Sequence, residues 1–249
     1  VSRVHFIGGE KGGVGKSFTA RLLAQYYVDS GLSFQGFDAD MSHQTFSRFY
    51  GDFNKPLQVG DYESLDQIID AAAAKPEVDI IVDLAAQTSA QFEAWVDDSA
   101  TFDLLKMMGF ESFLWHVMDD GFDSVCLLDK LILRRKKDPA NLVVVENFGR
   151  GDSFELFEKS ETYARADKFG ATFFHLSHLH PALARKVDFN CSSFWAASNN
   201  QDGLSIAERQ RVRIWLIKQY AQIEALFDSV ESKAASELEQ PGNIIAAKF

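Results

Sequence analysis

Residues 4–18 read Val4-His5-Phe6-Ile7-Gly8-Gly9-Glu10-Lys11-Gly12-Gly13-Val14-Gly15-Lys16-Ser17-Phe18. A short apolar run passes into a glycine-rich turn and then into an amphipathic stretch that Gly31 ends, so the segment is a strand, a tight loop and a helix in that order. Gly12, Gly13 and Gly15 carry no side chains, which lets consecutive backbone N–H groups point into one concavity. The helix that starts at Lys16 adds the positive end of its dipole. Such a loop cradles a triphosphate. Lys16 is placed to reach the β- and γ-phosphates, and the Ser17 hydroxyl to ligate Mg²⁺. The plainer reading, an ordinary turn between strand and helix, leaves three glycines, a lysine and a serine in register without a reason.

Outward from this loop the same alternation repeats to the end of the chain. Apolar runs predict strands over 4–7, 34–37, 78–82, 113–118, 142–145 and 172–176. Amphipathic stretches predict helices over 16–30, 64–74, 90–108, 122–136, 154–168, 181–187 and from 205 to about 230. Strands alternating with helices, without a linker rich in Pro, Gly or Ser, predict one α/β domain over 1–249. Its expected form is a doubly wound, mainly parallel sheet with helices on both faces, a long C-terminal helix and a tail over 231–249.

The 46% of hydrophobic residues supports a full core and excludes disorder; the 22 phenylalanines read as its filling. With 36 acidic against 25 basic side chains the net charge is −11, which argues against a surface that coats nucleic acid and leaves room only for a local patch. Cys126 and Cys191 lie far apart in no CxxC or Cys/His pattern, so neither a zinc site nor a disulfide framework is expected, and the compartment reads as reducing and cytoplasmic. No basic leader with an apolar stretch, and no apolar run near the ~20 residues of a membrane span, is present, so neither signal peptide nor anchor is expected. His175, His178 and His180 suggest a metal at first sight, but strand alternation turns His175 away from His178.

Two further segments carry carboxylates to strand ends. Phe37-Asp38-Ala39-Asp40 closes the second strand, and the period of two places Asp38 and Asp40 on one side of the chain, at the edge where α/β sheets bind ligands. A pair that merely caps the next turn is the alternative. Val78-Asp79-Ile80-Ile81-Val82-Asp83 ends a strand on Asp83, which with the phosphate loop upstream reads as the residue holding Mg²⁺ through water. Residues 84–87 then sense the γ-phosphate, and Asp79 is a surface residue.

The loop departs from the common pattern, because Glu10 replaces the first glycine and a second lysine, Lys11, follows. Lys11-Gly12-Gly13-Val14-Gly15-Lys16-Ser17 resembles the deviant Walker A box of the ParA/MinD family of P-loop ATPases; the likeness covers about the first 40 residues and the surroundings of Asp83. It implies ATP and Mg²⁺ as ligands and a homodimer when ATP is bound, in which Lys11 reaches the partner's phosphates. Lys11, Lys16 and Asp40 are then catalytic, Asp40 by orienting the attacking water. Ser17, Asp38 and Asp83 surround the metal, and Gly12, Gly13, Val14, Gly15, Lys16, Ser17 and Phe18 contact the nucleotide. Asn147 either reads the adenine edge or ends its strand in the turn before Gly149. Phe18 replaces a second hydroxyl residue usual in the family, and Thr19 lies one step too far round the helix to stand in for it. Met41-Ser42 replace the Pro-Gln of many partition proteins.

The family's activity would be slow ATP hydrolysis that partitions or positions a plasmid, a chromosome region, a conjugation apparatus or a protein assembly, with a small adaptor or activator protein. Other classes share the loop. Metabolic ligases of the dethiobiotin and cobyrinate type are disfavoured by Lys11, and the nitrogenase iron-protein type by the context of the cysteines. A MinD-like spatial regulator remains, although residues 237–249 are not basic and do not resemble that branch's membrane-targeting helix, so no membrane partner is expected. Arg134-Arg135-Lys136-Lys137 suits a helix end by its charge. Arg209, Arg211, Arg213 and Lys218 flank an apolar stripe of Val212, Leu216, Tyr220, Ile223 and Phe227. These basic groups either snorkel into solvent or bind DNA without sequence preference, which would associate the protein with the nucleoid.

Overall fold

The computed structural model describes residues 1–135, 137–200 and 203–238, with side chains up to 233. Seven strands, β1 (Ser2–Gly8), β2 (Phe34–Asp38), β3 (Asn54–Pro56), β4 (Asp79–Asp83), β5 (Phe110–Met118), β6 (Asn141–Asn147) and β7 (Thr172–Leu176), form one sheet in the order β3-β2-β4-β1-β5-β6-β7. Every pair is parallel. The helices are α1 (Lys16–Asp29), α2 (Ser47–Tyr50), α3 (Tyr62–Ala74), α4 (Ser89–Ser99), α5 (Thr101–Met107) and α6 (Phe122–Arg135). After them come α7 (Glu155–Glu158), α8 (Glu161–Phe169), α9 (Pro181–Phe189), α10 (Phe194–Asn199) and α11 (Ile206–Leu238).

The six expected strands are present; β3 is an addition, an edge strand ending in Pro56 and paired with β2 through Gly36 and Asn54. The single helix expected over 90–108 is two, because Ala100 adopts a left-handed conformation (φ 46°, ψ 44°) that caps α4 and starts α5. The helix expected over 154–168 is also broken: Ser160 leaves the helical path, and its side chain accepts the Tyr163 N–H as the cap of α8. The helices α2 and α10 were not expected, and α11 runs past 230 to Leu238. Lys136 and the tail from 239 onward lie outside the described residues.

Alternation along β1 divides the core. Val4 and Phe6 pack with Leu65, Ile68, Trp95 and Phe102 beneath α3, α4 and α5. Ile7 faces the opposite side, with Leu23, Phe194, Trp215 and Phe227 beneath α1, α10 and α11. The parallel registers put Asp83 beside both Ile7 and Asp38, and Gly8 beside His116. The C-terminal ends of β1, β2, β4 and β5 therefore meet at one edge, where the strand order reverses around β1.

Candidate nucleotide-binding site

The loop from Gly8 to Ser17 leaves β1 and enters α1 at this edge. Gly13 (φ 76°) and Gly15 (φ 105°) take the left-handed conformation, and a Cβ on Gly15 would sit against the Asn147 amide. Lys16 is buried, and its Nζ donates to the Lys11 carbonyl at 2.9 Å. Burial lowers its pKa, against the opposing pull of Asp83 and Asp40, which face it.

Asp83 is the electrostatic centre of the site. It is 1% exposed, and neither carboxylate oxygen has a hydrogen-bond partner among the described residues. Burial pushes its pKa up to about 7, with Ser17 and Lys16 pulling the other way and Asp38 and Asp40 adding to the rise. An orphaned carboxylate of this kind is costly unless a ligand completes it. A hydrated Mg²⁺ fits the donor set: Asp83 supplies a hard oxygen, Ser17 a hydroxyl, and the remaining positions belong to phosphate and water. Among the described residues no cluster of three or more His, Cys, Asp or Glu forms an all-protein metal cage.

The pair at the end of β2 shapes the following loop. Asp38 is buried and accepts the N–H groups of Asp40 (3.0 Å) and Ser47 (2.8 Å). Asp40 accepts those of Ser42 (3.1 Å) and His43 (3.0 Å). Both carboxylates cap the turn, and Asp40 also faces Lys16. Two non-glycine residues with positive φ, Gln44 (47°) and Gln87 (62°), sit in the two loops that follow β2 and β4. The Gln87 N–H donates to the Glu10 carbonyl at 3.3 Å, tying residues 84–87 to the phosphate loop. Strained backbone of this kind clusters at ligand-binding loops.

Asn147 ends β6 next to the loop. Its Nδ2 donates to the Val14 carbonyl at 2.6 Å, and its Oδ1 accepts the Gly149 N–H at 2.9 Å. It also lines a cavity of about 310 Å³ beside the loop, with Gly15, Phe18, Arg150, His178 and Arg185. The Phe18 ring packs edge-on against Phe194 (5.3 Å) and Trp215 (5.6 Å), so the residue in the hydroxyl position joins α1 to α10 and α11. Thr19 Oγ1 donates back to the Gly15 carbonyl.

Lys11 extends across the mouth of the site to Asp119, 2.7 Å from its Oδ2. Asp119, just beyond β5, escaped the sequence reading because no motif marks it. His178 lines the cavity, whereas His175 stands 3.4 Å from Glu146 and stacks on Phe148. Of the basic groups, Arg134 pairs with Glu93 and Asp97, and Arg135 with Asp97 and Asp138. Arg209 folds back on the Asn200 and Leu204 carbonyls, and Arg213 on Asn199, while Arg211 is exposed.

Residues 5–145, from β1 into β6, match the model of the CobQ/CobB/MinD/ParA nucleotide binding domain. The chain belongs to this family. "Protein MobD" of Acidithiobacillus ferrooxidans is 22% identical over 169 residues, covering 67% of this chain and 74% of MobD. The MinC:MinD cell division protein complex of Aquifex aeolicus shares the fold at a TM-score of 0.53 and 14% identity, over 85% of this chain and 95% of that one. MinD of the same organism does so at 0.51 and 14%, over 85% and 96%. Members of the family are nucleotide-binding domains, and the loop between β1 and α1 is where this one carries the fingerprint. Among the described residues no helix is long and apolar enough to cross a membrane.

Proposed function

We propose that the protein is a ParA-like ATPase that binds Mg·ATP, forms a face-to-face dimer around the nucleotides, and hydrolyses ATP slowly. The hydrolysis times the partition or positioning of a cargo: a plasmid, a chromosome region, a conjugation apparatus or a protein assembly. The observation that carries this reading is the pairing of a partnerless, buried Asp83 with Lys16 below and a second lysine, Lys11, at the rim of the same loop. Lys16 and the loop N–H groups hold the β- and γ-phosphates, and Ser17 and Asp83 hold Mg²⁺, which supplies charge neutralisation to the phosphates when bound. Asp40 faces the phosphate end and orients the attacking water; Asp38 keeps Asp40 in place by accepting its N–H. The 310 Å³ cavity takes the nucleoside, with the free lone pair and proton of the Asn147 amide available to the base.

Family membership alone does not separate this activity from the ligases grouped with it. Lys11 favours this activity, since a ligase site has no use for a second loop lysine at its rim. On this reading the protein is cytoplasmic and works with a small activator. Arg211, Arg213 and Lys218 on the exposed side of α11 hold it on DNA without sequence preference, whereas Arg134 and Arg135 are occupied by carboxylates. The test is size-exclusion chromatography of the full chain with Mg·ATP, alongside phosphate release, for wild type and Asp40→Ala. Removing the carboxylate costs transition-state positioning and spares the phosphate cradle. The expected result is an ATP-dependent dimer that persists in the variant while phosphate release falls. A wild-type chain that stays monomeric with Mg·ATP overturns the reading.

A further inference from the structure

The Asp119 carboxylate is fixed by its own neighbours, since Gly121 N–H donates to Oδ1 at 3.1 Å and Ser124 Oγ at 2.6 Å. Lys11 Nζ then sits 2.9 Å from Oδ1 and 2.7 Å from Oδ2. Burial alone would raise the Asp119 pKa; the bonds from Lys11, Ser124 and Gly121 outweigh it and hold the carboxyl below the usual range. The fit depends on the absence of a side chain at 121, where a Cβ would lie 3.0 Å from Lys11 Nζ and 3.2 Å from Asp119 Oδ1. The Lys11 carbonyl meanwhile receives Lys16 Nζ. Both lysines of the loop are thus engaged within their own chain.

We propose that Asp119 is a positioning residue that parks Lys11 in cis, and so sets how readily this lysine transfers to the nucleotide bound by a second copy of the chain. The proposal rests on the reading of Lys11 as acting across a dimer. A carboxylate and a triphosphate compete for one ammonium: bringing the polyanion up to Lys11 while Asp119 still holds it sets like charges against each other, so the lysine must leave one for the other. The Lys11 side chain is 33% exposed, which makes the pair weak enough to break. Each dimer releases two such pairs, so the effect counts twice.

The test uses Asp119→Asn, which keeps an acceptor for Ser124 and Gly121 and removes the charge. Dimer formation by the full chain is followed by analytical ultracentrifugation with Mg²⁺ and a non-hydrolysable ATP analogue, for wild type, D119N, Gly121→Ala and Lys11→Ala. Taking roughly three-fold per exposed ion pair, the D119N dimer should form at roughly ten-fold lower protein concentration, with unchanged affinity of the monomer for a fluorescent ATP analogue. G121A should shift dimerisation in the same direction by less, because its Cβ pushes the ammonium away from the carboxylate; it also decides the matter if D119N does not fold. If K11A fails to dimerise and D119N does so no more readily than wild type, Asp119 is not the parking site and the proposal fails alone. If K11A dimerises like wild type, the reading of Lys11 fails and takes the proposal with it. A well-folded D119N that dimerises less readily makes Asp119 a necessary contact and overturns the proposal.

Discussion

Among the buried polar groups of the central strands, His5 in the middle of β1 and Asp83 at the end of β4 are treated in opposite ways. Trp115 Nε1 donates to His5 Nδ1 at 3.1 Å; an indole only donates, so the imidazole proton is on Nε2, which bonds Tyr27 Oη at 2.8 Å. Every polar atom of the ring is used. Asp83, equally buried, has no partner for either oxygen among the described residues. A satisfied network fixes the packing of α1 against β1 and β5. An unsatisfied one stores a cost that a ligand relieves, so the edge of the sheet is built for binding at the expense of stability.

The largest expected effect falls on the unsatisfied side. Lys16→Ala removes the point charge facing the phosphates and should weaken a fluorescent ATP analogue roughly 1,000-fold, about 4 kcal/mol, as truncation of a buried charged partner does. Unchanged affinity would sink the assignment of the loop. Among the described residues Lys16 makes one hydrogen bond, to a loop carbonyl, so the cost to the fold is confined to the attraction it exerts on Asp83 and Asp40.

Asp83→Asn separates the two regions more sharply. Its burial penalty disappears with the charge, so the nucleotide-free variant should unfold about 1–3 kcal/mol later in urea, while Mg-dependent phosphate release falls on the order of 100-fold. A variant less stable than wild type would show that Asp83 already has a partner, and the contrast with His5 would collapse.

His5→Leu is the mirror test. Tyr27 Oη and Trp115 Nε1 lose a buried partner, at about 1–3 kcal/mol each, with no change in nucleotide affinity. Two buried histidines on opposite faces of the sheet, His5 among Tyr27, Phe113 and Trp115 and His116 on the Leu114 side, predict how acid acts on the fold. Burial drives the pKa of His5 well below 6.5, and burial lowers that of His116 to about 4. At these two histidines the unfolded chain takes up protons that the folded one refuses, so their contribution to stability is full above pH 6.5 and is lost as pH drops towards 4, while Asp83, with its folded pKa raised to about 7, acts in the opposite direction over the same range. His116 alone contributes about 3 kcal/mol to that loss, at about 1.4 kcal/mol per pH unit. Urea titrations of wild type and His116→Gln between pH 7 and 4 check this, and parallel profiles would remove His116 from the account.

The sheet and its phosphate loop were legible because their signals are local: an apolar run, glycines, a lysine, a carboxylate at a strand end. The misses have local causes as well. Asn54-Lys55-Pro56 carries no apolar run, and its pairing with Gly36 is decided by the edge of β2. Ala100 breaks a helix without glycine or proline, and what fixes it is the tertiary packing of Trp95 and Phe102 on either side. Asp119 meets the phosphate loop only through Lys11, 108 positions away, a relation that no spacing encodes. Phe18, read as a lost hydroxyl, is accounted for by Phe194 and Trp215, whose approach the sequence does not announce.

The smallest expected effect extends the same contrast to the surface. Arg134 is held by Glu93 and Asp97, whereas Arg211 is exposed and none of the carboxylates in the described ion pairs reaches it. A cation already neutralised releases few counterions when it meets a phosphate backbone, and a free one releases about one. If α11 rests on DNA, Arg211→Ala should reduce the slope of log affinity against log salt by about 0.9 for each copy of the chain. Arg134→Ala should leave the slope where it is. Thermal stability of the Arg211 variant should stay within about 0.5 kcal/mol of wild type, because no described partner is lost. The measurement is retardation of a random-sequence duplex by the ATP-analogue-bound protein over a salt series. Equal slopes for the two variants would mean that pairing within the chain does not decide which cations meet DNA, and no retardation at low salt would leave α11 without this role.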